Sequence, residues 1–250
     1  MKHLVPSNLK MHLKLAQRHL LDRATRKSSR FVKFNQITTE QQKSFQPQIT
    51  IAQAIYPTSY SESKKHNLAI AIQKIENVLI HPDRIFSFWH LIGKPDKNKG
   101  YLEGRTILGD ELSADVGGGL CQLSGLLYFL ALKAGLIAIE RYPHSRDLYT
   151  DETRFAPLGS DATVVYGYKD LRIQNNLLFP ICFRFNLQDT EISASLCAEQ
   201  VVPAHRVEFK VEEFAGGVKA DTIRFGFMHP HLENYNQNQF EIIDSTIYRK

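Results

Sequence analysis

Residues 115–145, DVGGGLCQLSGLLYFLALKAGLIAIERYPHS, carry the pattern on which the fold turns. Three consecutive glycines (Gly117, Gly118, Gly119) would weaken any helix or strand that contained them. They suit a place where the backbone must pass close to something or present its N–H groups. Directly afterwards Leu123, Leu126, Leu127, Leu130 and Ala131 recur at helical spacing. This predicts a helix over 120–133, with Gly135 suited to its C-terminal end. At 137–142, IAIERY, the period drops to two and predicts a strand.

Working outward, KKHNLAIAIQKIENVLI predicts a second helix over 64–80, with Leu68, Ala71, Ile72, Ile75, Val78 and Leu79 as its apolar stripe. Ser61 or Ser63 would cap it, and His81-Pro82 would end it. Further back, LKMHLKLAQRHLLDRATRK (9–27) sets Leu9, Leu13, Leu20 and Leu21 among basic residues, the pattern of an amphipathic helix. The polar stretch 35–50 reads as a linker. Beyond the glycine-led helix, ATVVYGY, LRIQNN, ICFRFNL, EISASLC, HRVEFKVEEF, TIRFGFMH and FEIIDSTIY read as short strands, with a polar run at 233–239. Helices first and strands after indicate an α+β fold: amphipathic helices on a mainly antiparallel sheet, with a cysteine at a helix N-terminus. The expected organisation is a basic helical arm and linker (1–50), a central domain (51–200) and a β-rich extension (201–250).

Hydrophobic residues make up 43% of the chain and charged residues 23%, which suffices for a globular core. The net charge of +5 is concentrated: residues 1–33 hold nine Lys/Arg against Asp22, a charge of +8, so the rest carries −3. Positive charge confined to one arm, with no aromatic platform, argues against nucleic acid. The arm suits contact with a membrane or an acidic protein surface, or it is a solvated helix. No secretory leader or membrane-length apolar run is visible, so a cytoplasmic location is expected. The three cysteines show no CxxC spacing; Cys182 and Cys197 lie in strand-like runs as buried thiols, and a disulfide between them is open.

Cys121 falls in the first turn of the helix that follows the glycines. Unpaired N–H groups and the positive end of the helix dipole there favour the thiolate. The same amides, with Gly118, Gly119, Gln122 and Ser124 nearby, can hold the oxyanion formed when sulfur attacks a carbonyl. The competing reading is a small apolar side chain packed under a glycine turn. A cysteine nucleophile needs an imidazole and a group to orient it. His144 closes the strand after the cysteine helix, and a helix–turn–strand can fold back to bring it near Cys121. Asp161, in Gly159-Ser160-Asp161, could orient the histidine. Arg141 and Arg105 could each pair with a substrate carboxylate. No metal or cofactor is expected, because the spacing of Cys121, His144 and Asp161 is not compact.

These residues also resemble the VanW family. The similarity spans about residues 55–185 and rests on several segments in order: Gly117-Gly118-Gly119-Leu120-Cys121-Gln122, then Glu140-Arg141 with His144-Ser145, Gly159 with Asp161-Ala162-Thr163-Val164, and Asp170-Leu171 with Asn175-Asn176. Upstream, His66-Asn67-Leu68-Ala69 and Ile85-Phe86-Ser87-Phe88 also fit. The family is named for an accessory protein of glycopeptide-resistance clusters, and some members act as L,D-transpeptidases that cross-link peptidoglycan stems through a cysteine. The resemblance implies Cys121 as nucleophile and a peptidoglycan-derived peptide or precursor as partner. His144 then becomes the general base. A non-catalytic module that binds such a precursor through the glycine loop is the alternative. Gly125 and Leu126 stand where small hydroxyl residues are expected.

Overall fold

The structure is a computed structural model and describes residues 7–108, 111–146, 154, 156–226 and 240–249. The helices among them are α1 (Ser7–Ala24), α2 (Thr39–Ser44), α3 (Ser61–Ile75), α4 (Phe88–Ile92) and α5 (Leu120–Lys133). The strands are β1 (Gln46–Ala54), β2 (Ile85–Ser87), β3 (Glu103–Leu108), β4 (Glu111–Val116), β5 (Ile137–Glu140), β6 (Arg172–Gln174), β7 (Cys182–Leu187), β8 (Glu191–Ala198), β9 (Val207–Phe214), β10 (Gly217–Phe225) and β11 (Phe240–Arg249). They form a hairpin, β3-β4, and three three-stranded sheets, β1-β8-β7, β2-β6-β5 and β11-β10-β9. Every strand pair is antiparallel, so the α+β class expected from the sequence is the class observed.

Helix α5 is the centre of the core. Leu123, Leu126, Leu127 and Leu130 are wholly buried, and so is most of the rest of the helix. A helix apolar on nearly every side has to be enclosed. It packs between α3 and the β1-β8-β7 sheet, and Phe129 meets Phe209 of the β9–β11 sheet edge-on at 5.4 Å. No described helix is long and apolar enough to cross a membrane.

Four expectations change. The helix predicted over 64–80 is α3 and stops at Ile75, because Glu76 turns extended and Asn77 takes a positive φ of 58°. Val78 stays buried, but Glu76 and Ile80 instead bridge to Phe183 and Ile181 as extended chain. Neither Ser61 nor Ser63 caps α3; its N-cap is Tyr60, which makes no side-chain cap bond. The 35–50 stretch holds α2, closed by a reciprocal Thr38–Gln41 capping box, and the start of β1. Its apolar residues Ile37 and Phe45 bury against Cys182 and Cys197. ATVVYGY makes a tight turn and not a strand; Gly167 has φ 83°, and a single bridge joins Val165 to Lys169.

The N-terminal helix lies on the body by the face opposite its leucine stripe. Met11, Leu15, Arg18 and Asp22 face the body, while Leu9, Leu13, Leu20 and Leu21 point to solvent. Ion pairs fix it there. Arg18 reaches Glu140 at 2.7 Å, and the buried Arg172 reaches Asp22 at 2.6 Å. The polar run at 233–239 lies outside the described residues.

Candidate active site

The glycines have separate physical reasons. A Cβ on Gly118 would lie 2.2 Å from the carbonyl carbon of Gly104 in β3, so the two backbones touch with no room for a side chain. Gly119 has φ 100° and is the N-cap of α5. Asn67, buried on α3, fastens the turn: its Nδ2 donates to the carbonyls of Gly118 (3.0 Å) and Leu102 (2.9 Å), and its Oδ1 accepts from the Leu102 amide (2.8 Å). The start of α5 is therefore held from two sides.

Cys121 is the second residue of α5 and is partly buried. The amides of Leu120 and Cys121 belong to the first turn, which a helix leaves without intrahelical acceptors. Strand β5 returns from the far end of α5 and carries the chain to His144, whose imidazole lines the same cleft as the Cys121 thiol and acts on it electrostatically, while the thiol itself donates to the Val164 carbonyl at 3.7 Å. Asp161 takes the other side of the ring, with its Oδ2 2.7 Å from His144 Nδ1 and accepting from the His144 amide at 2.6 Å. Nε2 is thus the nitrogen left for sulfur. Thiol, imidazole and carboxylate stand in series.

Behind the carboxylate stand Arg141, expected as a substrate ligand, and Tyr248, which no local pattern singled out. Arg141 Nη2 donates to Asp161 Oδ1 at 3.0 Å, and its Nε donates to the Asp161 carbonyl at 2.7 Å. The Tyr248 hydroxyl, delivered by β11, also donates to Asp161 Oδ1, and Arg141 pairs with Asp244 of the same strand. Burial opposes ionisation of Asp161, but the hydrogen bond from His144 and the Arg141 charge outweigh it and hold the carboxyl far below the usual range. Burial likewise works against a charged His144, yet Asp161 and Cys121 together raise its pKa to about 10. Burial would push the Cys121 thiol up, and the His144 bond and charge bring it net below its ordinary value. Both shifts run in the direction of a thiolate–imidazolium pair.

The pair opens onto a cleft of about 1030 Å³ whose lining includes Tyr56, Trp89, Lys64, Arg105, Gln122 and Tyr166. Cations predominate along it. Lys64 on α3 lies beside Gly119, and burial, with the nearby Arg105 charge, lowers its pKa to about 8.

The sequence-predicted residues divide. Cys121, His144 and Asp161 come together, and Arg105 stands in the cleft. Arg141 lies beneath the site with a side chain only 5% exposed and its donors engaged by protein groups. Ser124 is wholly buried and gives its hydroxyl to the Ala162 carbonyl at 2.5 Å. Gln122 directs its Nε2 to the Ala54 carbonyl (2.9 Å), which leaves only its buried Oε1 without a partner. The Gly118 amide is bonded to the Asp115 carbonyl at 3.2 Å. Among the described residues no cluster of three His, Cys, Asp or Glu side chains could hold a metal ion.

Fold and site together define an α+β protein with a cysteine, a histidine and an aspartate in series at the wall of an open cleft. The family model described as VanW like protein matches residues 63–197, more than half of the sequence, and the chain belongs to that family. The uncharacterized protein YoaR of Bacillus subtilis is 35% identical over 147 residues, 59% of this chain and 47% of the relative. The vancomycin B-type resistance protein VanW of Enterococcus faecalis is 32% identical over 141 residues, 56% of this chain and 51% of the relative. The chain therefore spans about half the length of these curated relatives. No solved structure matches it.

Proposed function

We propose that this protein is a cysteine-dependent acyltransferase or hydrolase acting on acidic, peptidoglycan-type peptides, L,D-transpeptidase-like in chemistry, with a role in vancomycin resistance akin to that in its enterococcal relative's name. The observation that carries the reading is the Cys121–His144–Asp161 series facing the cleft.

The chemistry is two-step acyl transfer. Cys121 sulfur attacks the peptide carbonyl, and the first-turn amides of α5 receive the oxyanion. Imidazolium Nε2 of His144 gives its proton to the leaving amine as the C–N bond breaks, leaving a thioester. Water or an incoming amine then loses a proton to Nε2 and attacks the thioester. The C–S bond breaks and the thiolate is restored. Asp161 keeps the ring oriented throughout, and Arg141 and Tyr248 keep Asp161 ionised. Lys64 and Arg105 suit the carboxylates of a wall stem peptide.

The test is acylation by a carbapenem or an electrophilic stem peptide, followed by intact mass. The unmodified sequence gains one adduct, and Cys121→Ala gains none while keeping its circular dichroism. Absence of any adduct on Cys121 removes the enzymatic reading and leaves a module that binds a wall precursor.

A further inference from the structure

Strand β1 alternates inward and outward, and its inward positions are Ile49, Ile51, Gln53 and, just beyond the strand, Ile55. Gln53 breaks an otherwise aliphatic row. Its side chain is 4% exposed, and neither its Nε2 nor its Oε1 has a hydrogen-bond partner among the described residues. Buried amides normally have partners, and leaving both ends unmet opposes folding. Leucine would serve the packing better, so the amide has another use.

Gln53 lines a recess distinct from the substrate cleft. This recess is about 30 Å³ and is bounded also by Cys121, His144, Gly125, Leu158 and Tyr248. The thiol and the imidazole are thus shared by two cavities of very different size. The small one exceeds the roughly 10–15 Å³ that one water occupies, and it is far too small for a peptide. A water there would have the Gln53 amide at the recess wall and, once Cys121 is acylated and no longer holds it, Nε2 of His144, the two or more polar partners that a buried water requires.

We propose that Gln53 is a further catalytic residue, holding in this recess the water that resolves the thioester on Cys121. The inference rests on the acyl-transfer reading. After the leaving amine has taken the proton, neutral His144 Nε2 accepts one proton from this water. The water oxygen bonds to the thioester carbon, the C–S bond breaks with its electron pair on sulfur, and the acid departs. An amine acceptor, being larger, has to enter through the cleft, so hydrolysis and transfer use different doors.

The test uses the full chain and p-nitrophenyl acetate, reading the nitrophenol burst for acylation and intact mass for the lifetime of acetyl-Cys121. Gln53→Leu should leave the burst rate within about twofold and lengthen the acetyl lifetime about tenfold or more. Its thermal midpoint should be equal or higher, since an apolar side chain replaces an unpaired amide. Gln53→Glu, which still binds water, should recover most of the loss. An unchanged lifetime in Gln53→Leu overturns the proposal, as does an equal slowing of burst and release, which would make Gln53 an oxyanion donor. Failure of the unmodified protein to acetylate at all overturns the acyl-transfer reading itself, so the two failures are told apart.

A different observation carries a second surface. Leu9, Leu13 and Leu20, with Ala16 and Ala24, follow i, i+4, i+7, i+11, i+15 on the side of α1 turned away from the body, and the three leucines are 50–66% exposed. Lys10 and Lys14 flank this stripe on one side, His12, His19 and Arg23 on the other. From this charge pattern we infer that α1 lies on an anionic lipid surface, its leucines among the acyl chains and its cations at the headgroups. Met11 of the same helix lines the substrate cleft, so docking would bring the cleft to the lipid. Sedimentation with vesicles of equal parts phosphatidylglycerol and phosphatidylcholine should capture the protein, and pure phosphatidylcholine should not. Leu13→Glu/Leu20→Glu should cut capture about tenfold or more with the circular dichroism unchanged. Equal capture of both proteins, no capture of either, or a dimer abolished by the double substitution overturns the inference.

Discussion

Two cysteines of this chain lie in opposite settings. Cys121 stands at a helix start, beside an imidazole and open to a cleft. Cys182 faces Cys197 across the β7–β8 pair, wholly buried beside Ile37 and Phe45, and both are free thiols. Neighbours decide what a thiol does. The Cys197 sulfur across the strand pushes Cys182 up, away from the thiolate, and burial adds to that effect. Cys121 is packed by protein as well, yet the neighbouring His144 reverses the outcome, against the opposing charge of Asp161.

The contrast is sharpest in alkylation. Iodoacetamide on the native protein at neutral pH should modify Cys121 about a thousandfold faster than Cys182 or Cys197, which react only on opening; peptide mapping by mass spectrometry reads it. Comparable rates at the three positions would erase the distinction. His144→Ala should slow Cys121 alkylation at pH 7 about a hundredfold and leave the other two unaltered.

The pH dependence follows from the same pair. His144 keeps its proton to about pH 10 where a free imidazole loses it near 6.5. The stabilisation this brings is complete below pH 6.5 and is lost as pH rises through about 10. Acylation should fall over that alkaline range, because the leaving amine loses its proton donor. Alkylation, which needs only the thiolate, should not fall. Parallel profiles of the two reactions check this, and a joint decline would break the assignment of the proton to His144.

Smaller effects test the surroundings. Tyr248→Phe removes one of the donors to Asp161 and should lower acylation about tenfold, with Cys182 reactivity unchanged. Cys182→Ala should cost about 1 kcal/mol in denaturant unfolding and leave Cys121 alkylation as it was. A large change at Cys121 would mean that the two environments communicate.

The sequence revealed the parts of this site that are local. The glycine run and the helical leucines located Cys121, and the return strand pointed to His144. Asp161 was legible as an acid near a turn. Tyr248 was not, because it lies 87 residues from Asp161 in an ordinary alternating strand and only packing brings them together. Arg141 looked like a substrate ligand because a lone arginine shows its charge and not its partners. Gln53 left one readable sign, a polar residue inside an isoleucine alternation, in a segment that starts within the stretch taken for linker. The leucine stripe of α1 was legible but its direction was not, for a related reason: periodicity finds an apolar stripe but not which side the body occupies. Here ion pairs through Arg18 and Asp22 chose the other side.

Strand β11 has a consequence for when the site is complete. The groups that hold Asp161 ionised include Tyr248 directly, and Asp244 through Arg141, all fixed in place by a strand made after every other part of the site. While a ribosome is still extending the chain past residue 226, Cys121 and His144 already exist without that support. Order of synthesis thus leaves the hydrogen-bonded surroundings of Asp161 incomplete until β11 docks.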